Sequence, residues 1–149
     1  MLTGIIPGRV KFLDGDATLP MAGGHRVLIN LVNVNGEWSG DDFSQKLSKR
    51  WPIVQSEYRR SYLGQRDFKL GNIQEIRVRS DFSVLNLICI DESGNLVDLD
   101  ECLEKAAVII KDVGSSVHIP LDYRWEEIGG EDAVDLLVKK GINVTFYNC

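Results

Sequence analysis

Residues 29–42 read INLVNVNGEWSGDD, and the reading of this stretch decides the fold. The run that leads into it, residues 26–32 (RVLINLV), is mostly apolar and of strand length, as expected for a strand buried on both faces. Asn30, Asn33 and Asn35 then fall close together, and Gly36, Ser39 and Gly40 belong to a small-residue loop. Residues 41–49 follow with a helical pattern in which Phe43 and Leu47 share a face and Asp41 or Asp42 is a suitable N-cap. The asparagines have two readings. Short amides build turns and cap strand ends. At the carboxyl end of a strand they also face polar ligands.

Outward from this stretch, residues 9–13 read as a short strand ended by the turn Asp14-Gly15-Asp16. Pro52 closes the first helix and opens a second over residues 53–62, with Val54, Tyr58 and Tyr62 on one face. Residues 72–79 alternate weakly, as a half-exposed strand does, and residues 83–90 (SVLNLICI) form a continuous β-favouring run. The clearest helix covers residues 98–112, with an apolar stripe of Leu99, Leu103, Ala106, Ala107 and Ile110 and a stop at Gly114. Residues 116–120 predict a strand, residues 131–140 a helix with Val134, Leu137 and Val138 inward, and residues 142–147 a last strand. About six strands interleaved with about four helices predict an α/β fold, three layers α/β/α around a mixed, largely parallel sheet. Residues 1–149 have the length of a single domain. In such sheets ligands bind outside the carboxyl ends of the strands. The loops over residues 14–17, 33–42 and 121–130 leave those ends.

The bulk composition narrows the function. The chain of 149 residues is 44% hydrophobic and 26% charged, with a net charge of -5, which argues against non-specific binding to nucleic acid or anionic membranes. Cys89, Cys102 and Cys149 make no zinc spacing and no disulfide framework, so neither metal nor cofactor is expected and a reducing, cytoplasmic setting is the default. Cys89 lies in an apolar run and reads as a core residue. The N-terminal stretch MLTGIIPGRVKF lacks the pattern of a signal peptide, and no apolar run is long enough to span a membrane.

Four signatures in order resemble the macro domain family. They are Gly15-Asp16-Ala17-Thr18 after the first strand, and Ile29-Asn30-Leu31-Val32-Asn33 on the buried strand. Next comes Asn33-Val34-Asn35-Gly36-Glu37-Trp38-Ser39-Gly40-Asp41-Asp42-Phe43, with Arg50-Trp51-Pro52 downstream. The last runs from Ile119-Pro120 to Phe146-Tyr147. The third is similar to the subgroup of ADP-ribose-1″-phosphate phosphatases and small ADP-ribosyl hydrolases. The resemblance implies ADP-ribose or a derivative as ligand, with an ADP-ribosylated protein as a further candidate partner. It implies that Asp16, beside Ala17, accepts from the adenine amine and that Tyr147 lies near the adenine ring. Asn33 and Asn35 would face the distal ribose. Gly36, Trp38, Ser39 and Gly40 would lie along the ligand, and Asn30 takes the place where some family hydrolases carry a histidine.

The chain also departs from the pattern. The family's triple glycine is Ser39-Gly40-Asp41 here, and the second phosphate loop holds Leu121-Asp122-Tyr123-Arg124-Trp125 with its glycines late, at Gly129 and Gly130. Arg124 would replace backbone amides as a phosphate partner, or this loop would close the cleft. No lysine matches the hydrolases' lysine, and Glu127 stands near their aspartate. Three readings follow. In an enzyme acting at the distal ribose, Asn33 and Asn35 orient the sugar and Glu127 or Asp41 activates water. In a non-catalytic module the same cleft binds or sequesters an ADP-ribose-related nucleotide. In a degenerate domain the altered loops serve a protein partner. His118 reads as a core-strand residue, His25 as solvated, and Trp125 and Tyr123 as aromatics that either cover a ligand or pack on the domain.

Overall fold

The computed structural model describes residues 6–65 and 67–148, without the side chain of Tyr123; Cys149 and the first residues of the N-terminal stretch lie outside this description. Six strands form one sheet among the described residues: β1 (Val10–Asp14), β2 (Arg26–Asn33), β3 (Ile73–Arg79), β4 (Phe82–Ile90), β5 (Ser116–Pro120) and β6 (Val144–Asn148), in the order β1-β6-β5-β2-β4-β3. All neighbours pair in parallel except β3 and β4, so the sheet is mixed and largely parallel, as expected. Helices α1 (Asp42–Arg50) and α2 (Pro52–Gly64) link β2 to β3, and α3 (Leu99–Val113) links β4 to β5. The last connection holds three short helices, α4 (Tyr123–Glu127), α5 (Gly130–Ala133) and α6 (Asp135–Lys139).

The three layers follow from the strand period of two. Val27, Ile29 and Leu31 of β2, with Leu85, Leu87 and Cys89 of β4, pack on Cys102, Leu103, Ala106 and Ile110 of α3. Leu28 and Val84 face the opposite way, onto Phe43 and Leu47 of α1 and Val54 of α2. Both layers are therefore required by the two apolar faces of β2 and β4. Cys89 and Cys102 are buried free thiols. Among the described residues no helix is long and apolar enough to cross a membrane.

Three local differences from expectation have physical causes. The helix expected over residues 131–140 is broken at Val134, whose burial together with Leu137 is met by two short helices in place of one. The loop after β5 folds into α4, because the Asp122 carboxylate accepts from Arg124 N at 3.1 Å and Trp125 N at 3.3 Å and caps it. Ile142 and Asn143 precede the last strand, and the Asn143 side chain accepts from Arg9 N at 2.9 Å to seat β1 beside it.

Candidate functional site

The five parallel strands bring their carboxyl ends to one edge, and the loops after β1, β2 and β5 meet there. After β1, Asp16 anchors its loop. Its Oδ1 accepts from Thr18 N at 2.9 Å and Thr18 Oγ1 at 2.6 Å. Its Oδ2 faces Arg50 at 3.3 Å and Lys46 at 3.4 Å. Burial works against its ionisation, but the Thr18 hydrogen bonds and the Lys46 charge outweigh it and hold the carboxyl below its usual range. Trp51 Nε1 donates to Thr18 O at 2.8 Å, which ties the same loop to the end of α1.

After β2, the asparagines separate by role. Asn30 points into the α1/α2 layer, where its Nδ2 donates to Asn86 Oδ1 at 3.0 Å; Asn86 donates to Gln74 at 3.1 Å, and Gln74 to Glu57 O at 2.8 Å. This buried amide ladder crosses β2, β4 and β3. Asn35 Oδ1 accepts from Glu37 N at 3.0 Å and closes the turn. Asn33 Nδ2 donates to Glu37 O at 3.2 Å, and Asn33 also lines a cleft at the sheet edge. Gly36 has φ +79, and a Cβ built there would lie 2.3 Å from the Tyr62 ring, so the turn requires glycine.

The start of α1 meets the start of α4 through three charged side chains. Asp41 Oδ1 accepts from Ser44 N at 2.8 Å as the N-cap, and Oδ2 accepts from Ser39 Oγ at 2.5 Å. Arg124 Nη2 donates to Asp122 Oδ2 at 2.9 Å, its Nη1 donates to Leu31 O at 3.0 Å, and Nη1 lies 3.8 Å from Asp41 Oδ2. Burial opposes ionisation of Asp41, yet the bonds from Ser39 and Ser44 and the charge of Arg124 prevail and lower its pKa. The bridge stands between two depressions. One of about 600 Å³ is lined by Asp41, Asp42, Phe43, Lys46, Pro120, Leu121 and Asp122. The other, about 230 Å³, is lined by Asn33, Ser39, Arg124 and Glu127 against Ile90, Leu96 and Ile128.

The structure thus gathers Asn33, Ser39, Asp41, Arg124 and Glu127 around the clefts, and joins Asp16 to the larger one through Lys46. It places others elsewhere. Ala17, Asn30 and Tyr147 are buried in the core. Tyr147 accepts from Met21 N at 3.0 Å and its hydroxyl lies 2.7 Å from His118 Nδ1, so its ring is covered by the loop after β1. Gly36 and Trp38 line a separate shelf with Tyr58 and Arg59, and Trp38 Nε1 donates to Ser44 O at 3.0 Å. Gly40 is exposed, with open space where a Cβ would stand. Trp125 is wholly buried and packs on Phe146. His25 is half-buried with Nδ1 2.7 Å from Ser115 Oγ, a correction to its expected solvation. Sequence reasoning passed over Asp122 and Lys46. Asp122 carried a signal, an aspartate at N-cap spacing before Trp125 and Glu126; Lys46 carried none beyond its helix position.

No family model matches the chain, and no curated protein matches its sequence. Solved structures do. A macrodomain protein from Streptomyces coelicolor is 26% identical with a TM-score of 0.85, over 95% of this chain and 99% of that one. A protein of unknown function from Bacteroides thetaiotaomicron is also 26% identical, with a TM-score of 0.80 over 95% and 99%. The macrodomain of Mycobacterium tuberculosis DarG shares the fold at 18% identity and a TM-score of 0.69, again over 95% and 99%.

Proposed function

We propose, from the premise that this chain has a macrodomain fold, that it is a binding module whose edge cleft takes an ADP-ribose-related nucleotide and holds it without turnover. The observation that carries this reading is the 600 Å³ cleft at the carboxyl ends of the parallel strands, with an apolar lining of Phe43, Pro120 and Leu121 and with Lys46 leading to Asp16. Ligand sites are of this size and make-up, apolar surfaces with a few placed polar groups. The lining suits a base, and the ionised Asp16 suits an amine donor once Lys46 and Arg50, which share its Oδ2, swing aside. Lys46 is about half exposed, which leaves it room to do so. Asn33, in the smaller cleft, offers an amide to ribose hydroxyls.

The absence of turnover is read from Asp41 and Asp122; Glu127, which lines the smaller cleft beside Asn33, is the carboxylate on which an ester-hydrolysis assay bears. A base that activates water needs an open lone pair and a pKa near working pH. Asp41 and Asp122 instead each accept backbone N–H bonds as helix caps and lie beside Arg124. Asn35 is engaged in its own turn. Calorimetric titration with adenosine, AMP, ADP and ADP-ribose tests the reading. Micromolar binding of at least one, weakened by Asp16→Ala, supports it. Silence with all four refutes it, and release of ribose-linked product from an ADP-ribosyl ester refutes the absence of turnover.

A further inference from the structure

β1 closes the sheet at the end away from β3 and pairs with β6 alone. Arg9 O accepts from Val144 N at 2.9 Å and Gly15 N donates to Asn148 O at 3.1 Å, so the odd-numbered residues of this stretch turn their backbone groups to β6. By alternation the N–H and C=O groups of Val10, Phe12 and Asp14 point off the edge, with no strand beyond them among the described residues. The side chains add to this open edge. Phe12 is 50% exposed and Leu13, on the other face, 38%. The Phe12 ring stacks on Phe146 with centroids 5.4 Å apart and planes at 17°, and its exposure leaves the second ring face to solvent. The two rings, Leu121, Glu126, Glu131 and Asp132 line a depression of about 430 Å³. Its three carboxylates are exposed, and among the described residues none of them enters an ion pair.

We propose that this edge is a docking surface for a basic, extended segment of a partner protein. The segment adds a strand beside β1 and takes up the open backbone groups of Val10, Phe12 and Asp14. An arginine or lysine side chain then lies over the free face of Phe12, among the three carboxylates. Charge complementarity sets the pattern of the segment. Side chains alternate between the faces of a strand, so its basic residues recur at every second position, on the Phe12 face. The residues between them fall on the other face, where apolar side chains suit Leu13 and a cation would meet Lys11 as like charge. A second copy of this chain fits less well, because an antiparallel pair through β1 sets both acidic rims on one face. Apart from Leu121, no residue of this depression lines the 600 Å³ cleft, so docking here does not depend on the nucleotide.

The test is fluorescence polarisation with a labelled short peptide of alternating arginine and valine. A glutamate–valine peptide and an arginine–valine peptide N-methylated along its backbone serve as controls. The wild-type chain is expected to bind the first peptide at least about tenfold more tightly than either control. Equal binding of the N-methylated peptide, or no binding of the first, overturns the proposal. Glu126→Gln, Glu131→Gln and Asp132→Asn together are expected to weaken binding about tenfold, and Phe12→Leu about threefold. Neutralising the exposed Glu92, Asp100 and Asp112 removes the same charge elsewhere and is expected to change affinity by less than about twofold. An equal loss there means that net charge alone attracts the peptide and overturns the docking site. Thermal melting checks that the variants fold, and the N-methyl arm needs none of them. Sedimentation is expected to show a monomer; a dimer that Phe12→Glu dissociates makes a second copy the occupant and overturns the proposal.

Discussion

The Asp122 carboxylate and the Arg124 guanidinium lie 2.9 Å apart at the start of α4, with side chains 17% and 10% exposed. Asp41 approaches the same guanidinium at 3.8 Å from the start of α1, so one cation joins two loops that are distant in sequence. Removing it leaves two carboxylates facing each other in a half-buried place. Arg124→Met is expected to cost about 3 kcal/mol in urea unfolding. In double-mutant cycles the coupling of Arg124 to Asp122 is expected to exceed that to Asp41, in line with the two distances; equal or inverted couplings would contradict this geometry.

The amide ladder makes a different prediction. Asn30→Ala leaves Asn86 Oδ1 without the 3.0 Å bond that it accepts, inside the α1/α2 layer. The expected loss is about 1–3 kcal/mol of stability, with ligand affinity retained. Unfolding and titration on the same preparation separate the two, and an affinity loss without a stability loss would place Asn30 in the site.

Much of the fold is legible in the sequence because its signals are strong physical ones. The β2 and β4 runs are apolar on both faces, and a strand covered on both sides has to be so. The apolar stripe of α3 has helical period over a long stretch. The short helices of the last connection are illegible for the same reason reversed: five residues barely exceed one helical turn, so no periodicity can build up. At the site, the Asp41 cap is readable from local spacing, whereas its meeting with Arg124 depends on strand order. Asn30 shows a legible signal misplaced. Strand alternation puts it on the face of Leu28 and Val32, which turn to the helix layer, rather than at the strand end with Asn33.

The turn after β2 is exacting at one position. Gly36→Ala adds a Cβ 2.3 Å from the Tyr62 ring at a φ of +79. The expected cost is about 2–4 kcal/mol, from left-handed strain and overlap together. A second change that trims the ring, Tyr62→Ala, is expected to recover the overlap part of the loss. Thermal unfolding of the single and double variants checks it, and additive losses would contradict the contact.

Acid stability has a specific contributor in His118. Burial, with the Arg26 charge added, pulls its pKa from 6.5 to about 4. The ring lies 2.7 Å from the Tyr147 hydroxyl and 2.7 Å from Ser116 Oγ, an arrangement that suits a neutral imidazole. Its folded pKa is depressed, so the unfolded chain binds the proton first. The contribution is fully present above pH 6.5, shrinks as pH falls below that value, and is lost once pH passes about 4. The slope approaches about 1.4 kcal/mol per pH unit within that window. His118→Gln is expected to flatten the melting temperature against pH between those limits, even if the variant starts lower. An unchanged slope would move the acid sensitivity to other groups. Asp16 and Asp41, both held below the usual carboxylate range, add their own losses only at still lower pH.

The central claim is that an adenine ligand occupies the edge cleft between α1 and the exit of β5. The most direct measurement is a two-dimensional amide NMR titration of the labelled protein with adenosine. The account predicts saturable shifts concentrated at Asp16, Phe43, Lys46, Leu121 and Asp122, around the 600 Å³ cleft. Saturable shifts gathered instead on the shelf of Gly36, Trp38 and Arg59, or no shifts at all, would contradict it.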